Sequence, residues 1–163
     1  MAVITMLSNN YLIDHLVADY PQLRFISGQT ARWAPSEQTV YYSDIESMEG
    51  RVALLHEVGH ALCDHRSYHQ DIELIALELE AWQKATALAS HFGHTIENDW
   101  VHEAMDSYRG WLHDRSRCPT CGGGGVQSTA TLAYHCPICD RSWRTNDARQ
   151  CGLRRYSNDS KTK

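Results

Sequence analysis

The residues best suited to chemistry in this 163-residue chain lie in one short stretch, HEVGH, at positions 56–60. Histidines four residues apart project side by side from an α-helix, so His56 and His60 can direct nitrogens at one tetrahedral zinc ion. Glu57 lies about 100° further around the helix, beside such an ion rather than on it. A carboxylate there can take a proton from a zinc-activated water that attacks a carbonyl carbon. The stretch predicts a hydrolytic zinc site, and the alternative is a surface helix with two solvated histidines.

A catalytic zinc usually has three protein ligands and a water, so HEVGH by itself is incomplete. A third histidine six residues after His60 would mark the metzincin pattern, but that position is Arg66, and Cys63 stands where that pattern has glycine. His65 and His69 are expected at the end of the helix and in the following turn, and ligation by either one is an alternative. The third ligand is therefore sought in the next helix.

That next helix, predicted over 71–93, carries a carboxylate on its apolar side. At about 100° per residue, its apolar side chains form two neighbouring rows. The rows comprise Ile75, Leu79 and Trp82, and Leu74, Leu77, Ala81, Ala85 and Leu88. Glu78 falls between the rows, where a carboxylate is costly unless it binds metal or pairs with an Arg or His. We predict Glu78 as the third ligand, with Glu80 as the fallback for a rotated helix and a buried ion pair as the alternative role of Glu78.

An HExxH helix followed by a helix with ELEAW at 78–82 resembles the gluzincin metallopeptidases, and within them the ImmA/IrrE-like group and the minigluzincins. In that group one or two strands precede the active-site helix, and the first Glu of an E-x-E-A or E-x-Q-A motif binds zinc. The resemblance covers about residues 10–92. It implies a zinc peptidase in which His56, His60 and Glu78 are ligands and Glu57 is the base. A regulatory target such as a DNA-bound repressor would fit that group.

Two roles of such a site are unassigned by this resemblance. The family usually has Asn or Asp where this chain has Trp82, so another group would have to supply the hydrogen bond that orients a ligand histidine. A gluzincin also uses a Tyr or His donor to stabilise the oxyanion. The candidates are Tyr68, His69, His102 and Tyr108, and for Tyr108 a place in the core is the alternative.

Four of the six cysteines form two matched turns, CPTCG at 118–122 and CPICD at 136–140, which are separated by 14 residues. Such turns each present two thiolates, and together they complete a tetrahedral Cys₄ zinc site. The predicted ligands are Cys118, Cys121, Cys136 and Cys139. The segment is expected to be a zinc ribbon with a structural ion and no chemistry of its own. Cys63 is expected to be a small buried apolar residue, and Cys151 a free thiol.

The charges divide unevenly along the chain. Residues 1–113 carry 6 Lys/Arg against 16 Asp/Glu, a balance of −10, and residues 114–163 carry 9 against 4, a balance of +5. The basic half is rich in arginine and includes two aromatic residues that could stack bases. They are Arg115, Arg117, Arg141, Arg144, Arg149, Arg154 and Arg155, with Tyr134 and Trp143. Nucleic-acid binding, docking onto the acidic half and docking onto a protein substrate are the alternatives for this surface.

The elements that must position these residues predict an α+β fold. Helices are expected at 9–19, from Ser47 through the HEVGH stretch, at 71–93 with Asp71 as cap, and at 98–115. Strands are expected in LRFISG and TVYYSD, with ARWAP as a possible third, giving a small mixed or antiparallel sheet on the HExxH helix. The predicted domains are a metallopeptidase domain at 1–115, a zinc ribbon at 116–152 and a disordered tail at 153–163.

No secretion signal and no apolar run of about 18 residues is visible, so we expect a cytoplasmic chain without a membrane partner. The function expected from these observations is a metalloendopeptidase with one catalytic and one structural zinc that cuts an intracellular, DNA-associated protein. One alternative is a SprT-like protease, which joins an HExxH domain to a ribbon but needs a third histidine ligand. The other is a zinc-stabilised binding module without catalytic activity.

Overall fold

The computed structural model describes residues 10–147 and 153–157 and has an α+β architecture. Within these residues there are four helices, one three-stranded sheet and one four-stranded sheet, which confirms the predicted fold class. No helix in this described part combines the length and apolar character needed to cross a bilayer. The chain forms two compact units, which are described separately.

The first unit contains residues up to Arg66 together with Leu77–Asn98. Helix α1 spans Asn10–Asp19, and the strands that follow are β1 at Arg24–Ser27, β2 at Arg32–Ala34 and β3 at Thr39–Tyr42. β3 lies in the middle of the sheet, parallel to β1 and antiparallel to β2. All three predicted strands are therefore present, and the sheet is mixed.

Helix α2 spans Met48–Leu62 and carries the HEVGH stretch. The Ser47 hydroxyl accepts a hydrogen bond from the Gly50 amide at 3.0 Å, which caps the helix as the sequence predicts. One face of the helix lies in the core, where Leu54, Leu55 and Val58 are fully or almost fully buried. His56 therefore emerges from a rigid, buried segment.

Helix α3 spans Asp71–His91 and ends at Gly93, whose φ of +73° is the left-handed conformation expected at a helix end. Two expectations for this helix are wrong. The Asp71 carboxylate is not a cap, because it instead accepts hydrogen bonds from Arg115 Nε at 2.6 Å and the Tyr134 hydroxyl at 2.7 Å. Leu79 is 43% exposed, so the apolar arc is narrower than two full rows.

The second unit contains Ser67–Ala76 and the residues from Asp99 onward. Helix α4 spans Asn98–Ser116, and the strands β4 at Val126–Gln127, β5 at Tyr134–His135, β6 at Ser142–Thr145 and β7 at Arg155–Ser157 form an antiparallel sheet in chain order. Helix α4 thus lies in the same compact unit as the cysteines.

Two details of this second unit differ from expectation. Met105 and Trp111 are the buried apolar residues of α4, whereas Tyr108, for which a place in the core was an alternative, is half-buried. The tail was expected to be disordered from residue 153, which is wrong for 155–157 because strand β7 pairs with β6 there. Residues 158–163 lie outside the described part of the chain.

Candidate metal centres

Three of the four residues predicted for the catalytic centre bring their donor atoms together. His56 Nε2 lies 3.1 Å from a Glu78 oxygen and 3.1 Å from His60 Nε2, and His60 Nε2 lies 3.4 Å from the same Glu78 oxygen. Ligands about 2.0–2.1 Å from a tetrahedral zinc are separated by roughly 3.3 Å. The three residues, called the His/Glu centre below, therefore have the separation that a single metal ion requires.

A glycine allows the two helices of this centre to approach. A Cβ atom at Gly59 would lie 2.4 Å from the Ala81 carbonyl oxygen, so no other residue fits at this crossing without moving α3. Gly59 lies one residue before His60, and Ala81 lies three residues after Glu78. The close approach of the backbones brings the histidines of α2 to the carboxylate of α3.

Glu78 is buried, with 4% of its surface exposed, as its position in the apolar arc predicts. Burial raises the pKa of this carboxyl, but hydrogen bonds from His56 and His60 and the charge of those rings outweigh it and lower the pKa to about 2. Glu78 is therefore ionised at neutral pH. A buried anion facing two imidazole nitrogens is a suitable ligand for a divalent cation.

The turn after α2 returns a third histidine to the site. Asp64 adopts the left-handed conformation with φ 51°, and the amides of Asp64 and His65 donate to the carbonyls of Ala61 and His60. These two bonds form a Schellman motif, which reverses the chain. His65 Nδ1 then lies 2.9 Å from Nδ1 of His60, on the side of that ring opposite the centre.

His65 continues this chain of contacts to Glu80, which was the fallback ligand. Its Nε2 atom lies 3.1 Å from a Glu80 oxygen, and the Glu80 side chain is 58% exposed. Neither residue belongs to the His/Glu centre, where Glu78 is the third donor. His65 and Glu80 instead form a hydrogen-bonded series that orients the ligand His60. Residues that contact a metal ligand, rather than the ion, often have this role.

Glu57, the predicted base, is held by strand β2. One oxygen of its carboxylate accepts a hydrogen bond from the Trp33 amide at 2.7 Å. The Trp33 indole also donates to the His65 carbonyl at 2.7 Å. The role of Trp33 was not predicted from the sequence. Its two hydrogen bonds join β2 to α2 and to the turn after α2, and contacts between distant segments leave no local sequence pattern.

Trp82 stands where the family pattern has a polar residue, and its ring stacks on His56 with centroids 4.2 Å apart. His56 Nδ1 is buried and has no hydrogen-bond partner among the described residues. On the Nδ1 side the ring of His56 is therefore held by stacking, without the orienting hydrogen bond that the family pattern supplies.

The residues considered as oxyanion donors, Tyr68, His69, His102 and Tyr108, all belong to the second unit. His69 Nε2 lies 2.7 Å from the Thr129 carbonyl, and Tyr68 packs edge-on against Trp111. Cys63 is half-buried rather than buried, and its thiol is close to His65 and Glu80. Burial and the negative charge of Glu80 raise the pKa of this thiol.

The second predicted centre is formed by the four cysteines of the matched turns. The sulfurs of Cys118 and Cys139 are 3.6 Å apart, and those of Cys121 and Cys136 are 3.5 Å apart. Sulfur ligands about 2.3 Å from a tetrahedral zinc would be roughly 3.8 Å apart. The set, called the cysteine centre below, can therefore hold one metal ion, with all four positions taken by protein.

The two turns of the cysteine centre have the same backbone design. The amides of Gly122 and Asp140, each four residues after the first cysteine, donate to the carbonyls of Cys118 and Cys136 at 3.0 Å. Both donors have left-handed φ angles, of 75° and 64°. Burial raises the pKa of the Cys118 and Cys136 thiols, but backbone amides that point at the two sulfurs, together with neighbouring thiols, outweigh it and lower both pKa values. Low thiol pKa values favour the thiolate form that metal ions bind.

The basic surface is smaller than the sequence suggests. Tyr134 and Trp143, which the sequence offers as rings that could stack bases, are buried and stack on each other with their centroids 5.5 Å apart. Arg115 is buried in its ion pair with Asp71. Arg117, Arg144 and Arg154 are exposed, whereas Cys151 and Arg149 lie outside the described residues.

Comparison with known proteins finds no protein-family model, no curated protein and no solved structure that matches this chain.

Proposed function

We propose that the chain is a zinc metallopeptidase of gluzincin type with a C-terminal zinc ribbon. The observation that carries this proposal is the convergence of His56, His60 and Glu78 donor atoms to 3.1–3.4 Å. The residue between the histidines, next to His56, is a carboxylate held in place by a strand. Two neutral nitrogens and one carboxylate are a ligand set used by catalytic zinc, which keeps a fourth position open.

Each residue of the site then has a defined task. Zinc, when bound, supplies a Lewis acid that lowers the pKa of water and polarises a carbonyl. Glu57 accepts the proton of the attacking water and passes it to the leaving amine. The hydrogen bond from the Trp33 amide fixes one carboxylate oxygen of Glu57, so the other oxygen can meet the water proton.

The position of strand β2 favours a peptide substrate. Among the described residues the sheet order β1-β3-β2 leaves β2 at an edge, and this strand contains Trp33, whose amide donates to Glu57. An extended peptide can add to such an edge through main-chain hydrogen bonds. A substrate bound there would lie beside the proposed base.

The cysteine centre has no open ligand position, so we assign it a structural zinc. A Cys₄ site of this kind stabilises a small fold and performs no hydrolysis. The exposed arginines Arg117, Arg144 and Arg154 supply a surface for a protein substrate or for the phosphates of nucleic acid. A DNA-associated regulatory protein as the substrate would fit either use of this arginine surface.

The SprT-like alternative receives less support from the geometry. It needs a third histidine ligand, and His65 is directed at His60 Nδ1 and Glu80 rather than into the centre. A binding protein without activity is the remaining alternative. The missing partner of His56 Nδ1 favours it.

Glu57→Gln separates the peptidase from the binding protein. The amide cannot accept the proton, so hydrolysis of labelled denatured casein and of a random peptide mixture should fall at least about 100-fold while the zinc content is unchanged. Glu49→Gln is the matched control because Glu49 is exposed in the first turn of the same helix. Equal turnover by wild type and Glu57→Gln, or no turnover by a wild type with both zinc ions bound, would overturn the proposal.

A further inference from the structure

A second cluster of potential metal ligands adjoins the His/Glu centre. The donor atoms of Cys63, His65 and Glu80 all lie within 4.8 Å of one another. His65 Nε2 is 3.1 Å from a Glu80 oxygen, and the Cys63 sulfur lies within 4.8 Å of both donor atoms. The three residues come from the turn after α2 and from the part of α3 that begins at Leu77, and all three belong to the first unit.

The chemistry of this cluster selects the ion. One thiolate, one imidazole and one carboxylate form a mixed soft and hard donor set, which suits Zn²⁺ and similar borderline cations and disfavours Ca²⁺ and Mg²⁺. His65 is buried and therefore positioned, whereas Cys63 is half-buried and the Glu80 side chain is 58% exposed. The exposed side chain of Glu80 can move its carboxylate to metal-ligand distance from the other two donors. Water can then occupy the fourth ligand position of the ion.

We propose that Cys63, His65 and Glu80 form a second, weaker zinc site that opposes metal binding at the His/Glu centre. The site itself stands on this cluster alone, and only the opposition rests on the proposed metal at the His/Glu centre.

The opposition follows from the hydrogen shared by two histidine rings. His60 Nδ1 and His65 Nδ1 are 2.9 Å apart, so one nitrogen must donate and the other must accept. A metal ion on His60 Nε2 leaves the hydrogen of that neutral ring on Nδ1, which donates to His65. His65 must then carry its own hydrogen on Nε2, where it donates to Glu80 and cannot bind metal.

A metal ion at the second site would reverse the hydrogen positions on His60 and His65. A metal ion on His65 Nε2 moves the hydrogen of that ring to Nδ1, which donates to His60. The neutral His60 ring must then hold its hydrogen on Nε2, the atom that faces His56 and Glu78. Both sites can be filled only if an imidazole loses a further proton or the contact between the rings breaks. Excess zinc should thus reduce the affinity of the catalytic centre.

Zinc counting in chelator-buffered solutions tests the second site on the full chain. In His56→Ala the His/Glu centre is lost but the pair His60–His65 is retained, so this variant should bind one zinc at the cysteine centre and a second as free zinc rises. Adding Cys63→Ser should remove the second zinc. Glu78→Gln, which is nearly isosteric, replaces His56→Ala if that variant fails to fold. Equal zinc counts with and without Cys63→Ser at every free-zinc concentration would overturn the proposed site.

The opposition has its own measurement. In the wild type, occupancy of the His/Glu centre should weaken zinc binding at Cys63, so the second site should be at least about fivefold weaker than in His56→Ala, the lower end of typical coupling between sites. Equal affinities would refute the opposition. A chain that binds zinc through Cys63 but never hydrolyses peptides would retain the second site and refute the peptidase, so the two proposals fail separately.

Discussion

Gly59→Ala tests whether the close crossing of α2 and α3 builds the His/Glu centre. The added Cβ would lie 2.4 Å from the Ala81 carbonyl oxygen. Carbon–oxygen contacts of this kind normally measure about 3.3–3.6 Å, so the helices must separate by about 1 Å. A shift of that size would move Glu78 away from His56 and His60, whose donor atoms now lie 3.1–3.4 Å from it. Metal sites tolerate about 0.2 Å in each ligand distance.

The magnitude combines two opposing effects. Alanine is favoured over glycine in a helix by about 1 kcal/mol, and overpacking a core costs about 1–3 kcal/mol. Gly59→Ala should therefore lower the free energy of unfolding by up to about 2 kcal/mol and weaken zinc binding at the His/Glu centre at least about tenfold. The zinc of the cysteine centre should remain.

Gly110→Ala is the matched control. Gly110 also lies inside a helix, but a Cβ there would have no atom within 4 Å among its described surroundings. This variant should gain up to about 1 kcal/mol and retain both zinc ions. The assays are chelator competition for zinc and urea unfolding. Wild-type zinc affinity in Gly59→Ala would refute the reasoning that this crossing determines the ligand geometry.

Further predictions concern the contacts around both centres. Trp33→Phe keeps an aromatic side chain but removes the indole N–H that donates to the His65 carbonyl at 2.7 Å, along with part of the ring, so the free energy of unfolding in urea should fall by at least about 1 kcal/mol; no change would refute a stabilising role for this bond. Tyr134→Phe removes a buried hydrogen bond to Asp71 and should cost about 1.5–3 kcal/mol at neutral pH. Burial, the hydrogen bond to Asp71 and its charge raise the pKa of the Tyr134 phenol above the ordinary 10, so the folded chain keeps a proton that the unfolded chain loses. That contribution is complete below about pH 10 and lost above it, and urea unfolding of Tyr134→Phe should show a shallower decline above pH 10; parallel pH profiles would contradict it. Cys136→Ser should lose one zinc ion, measured by mass spectrometry of the metal, and keep the other, because only the cysteine centre uses Cys136; loss of both ions or of neither would contradict separate centres.

Local patterns predicted the parts of the site that depend on helical periodicity. The spacing of His56 and His60 and the place of Glu78 in the apolar arc need only the geometry of single helices, and the structure brings these three residues together. The four cysteines likewise lie in two turns whose sequences are sufficient to recognise them. The strands β1, β2 and β3 followed from their β-branched and aromatic composition.

Contacts that depend on turns and on distant elements could not be predicted in this way. His65 reaches His60 because Asp64 adopts a left-handed conformation. That conformation is usual for glycine, so an aspartate at this position does not predict it. Aromatic residues in a basic segment can either stack on bases or fill a small core, and the sequence does not distinguish the two. The fold shows that Tyr134 and Trp143 form the core. Strand β7 was missed because a short polar segment pairs through its backbone alone.

The most direct test of the account is the number of zinc ions per chain in wild type and His56→Ala, measured by metal mass spectrometry after dialysis at low free zinc. We expect two ions in the wild type and one in His56→Ala, since His56 contributes only to the His/Glu centre. His56→Gln provides a variant of similar size if the alanine substitution disturbs the stacking on Trp82. One ion in both wild type and variant would contradict a metal at the His/Glu centre and with it the proposed peptidase.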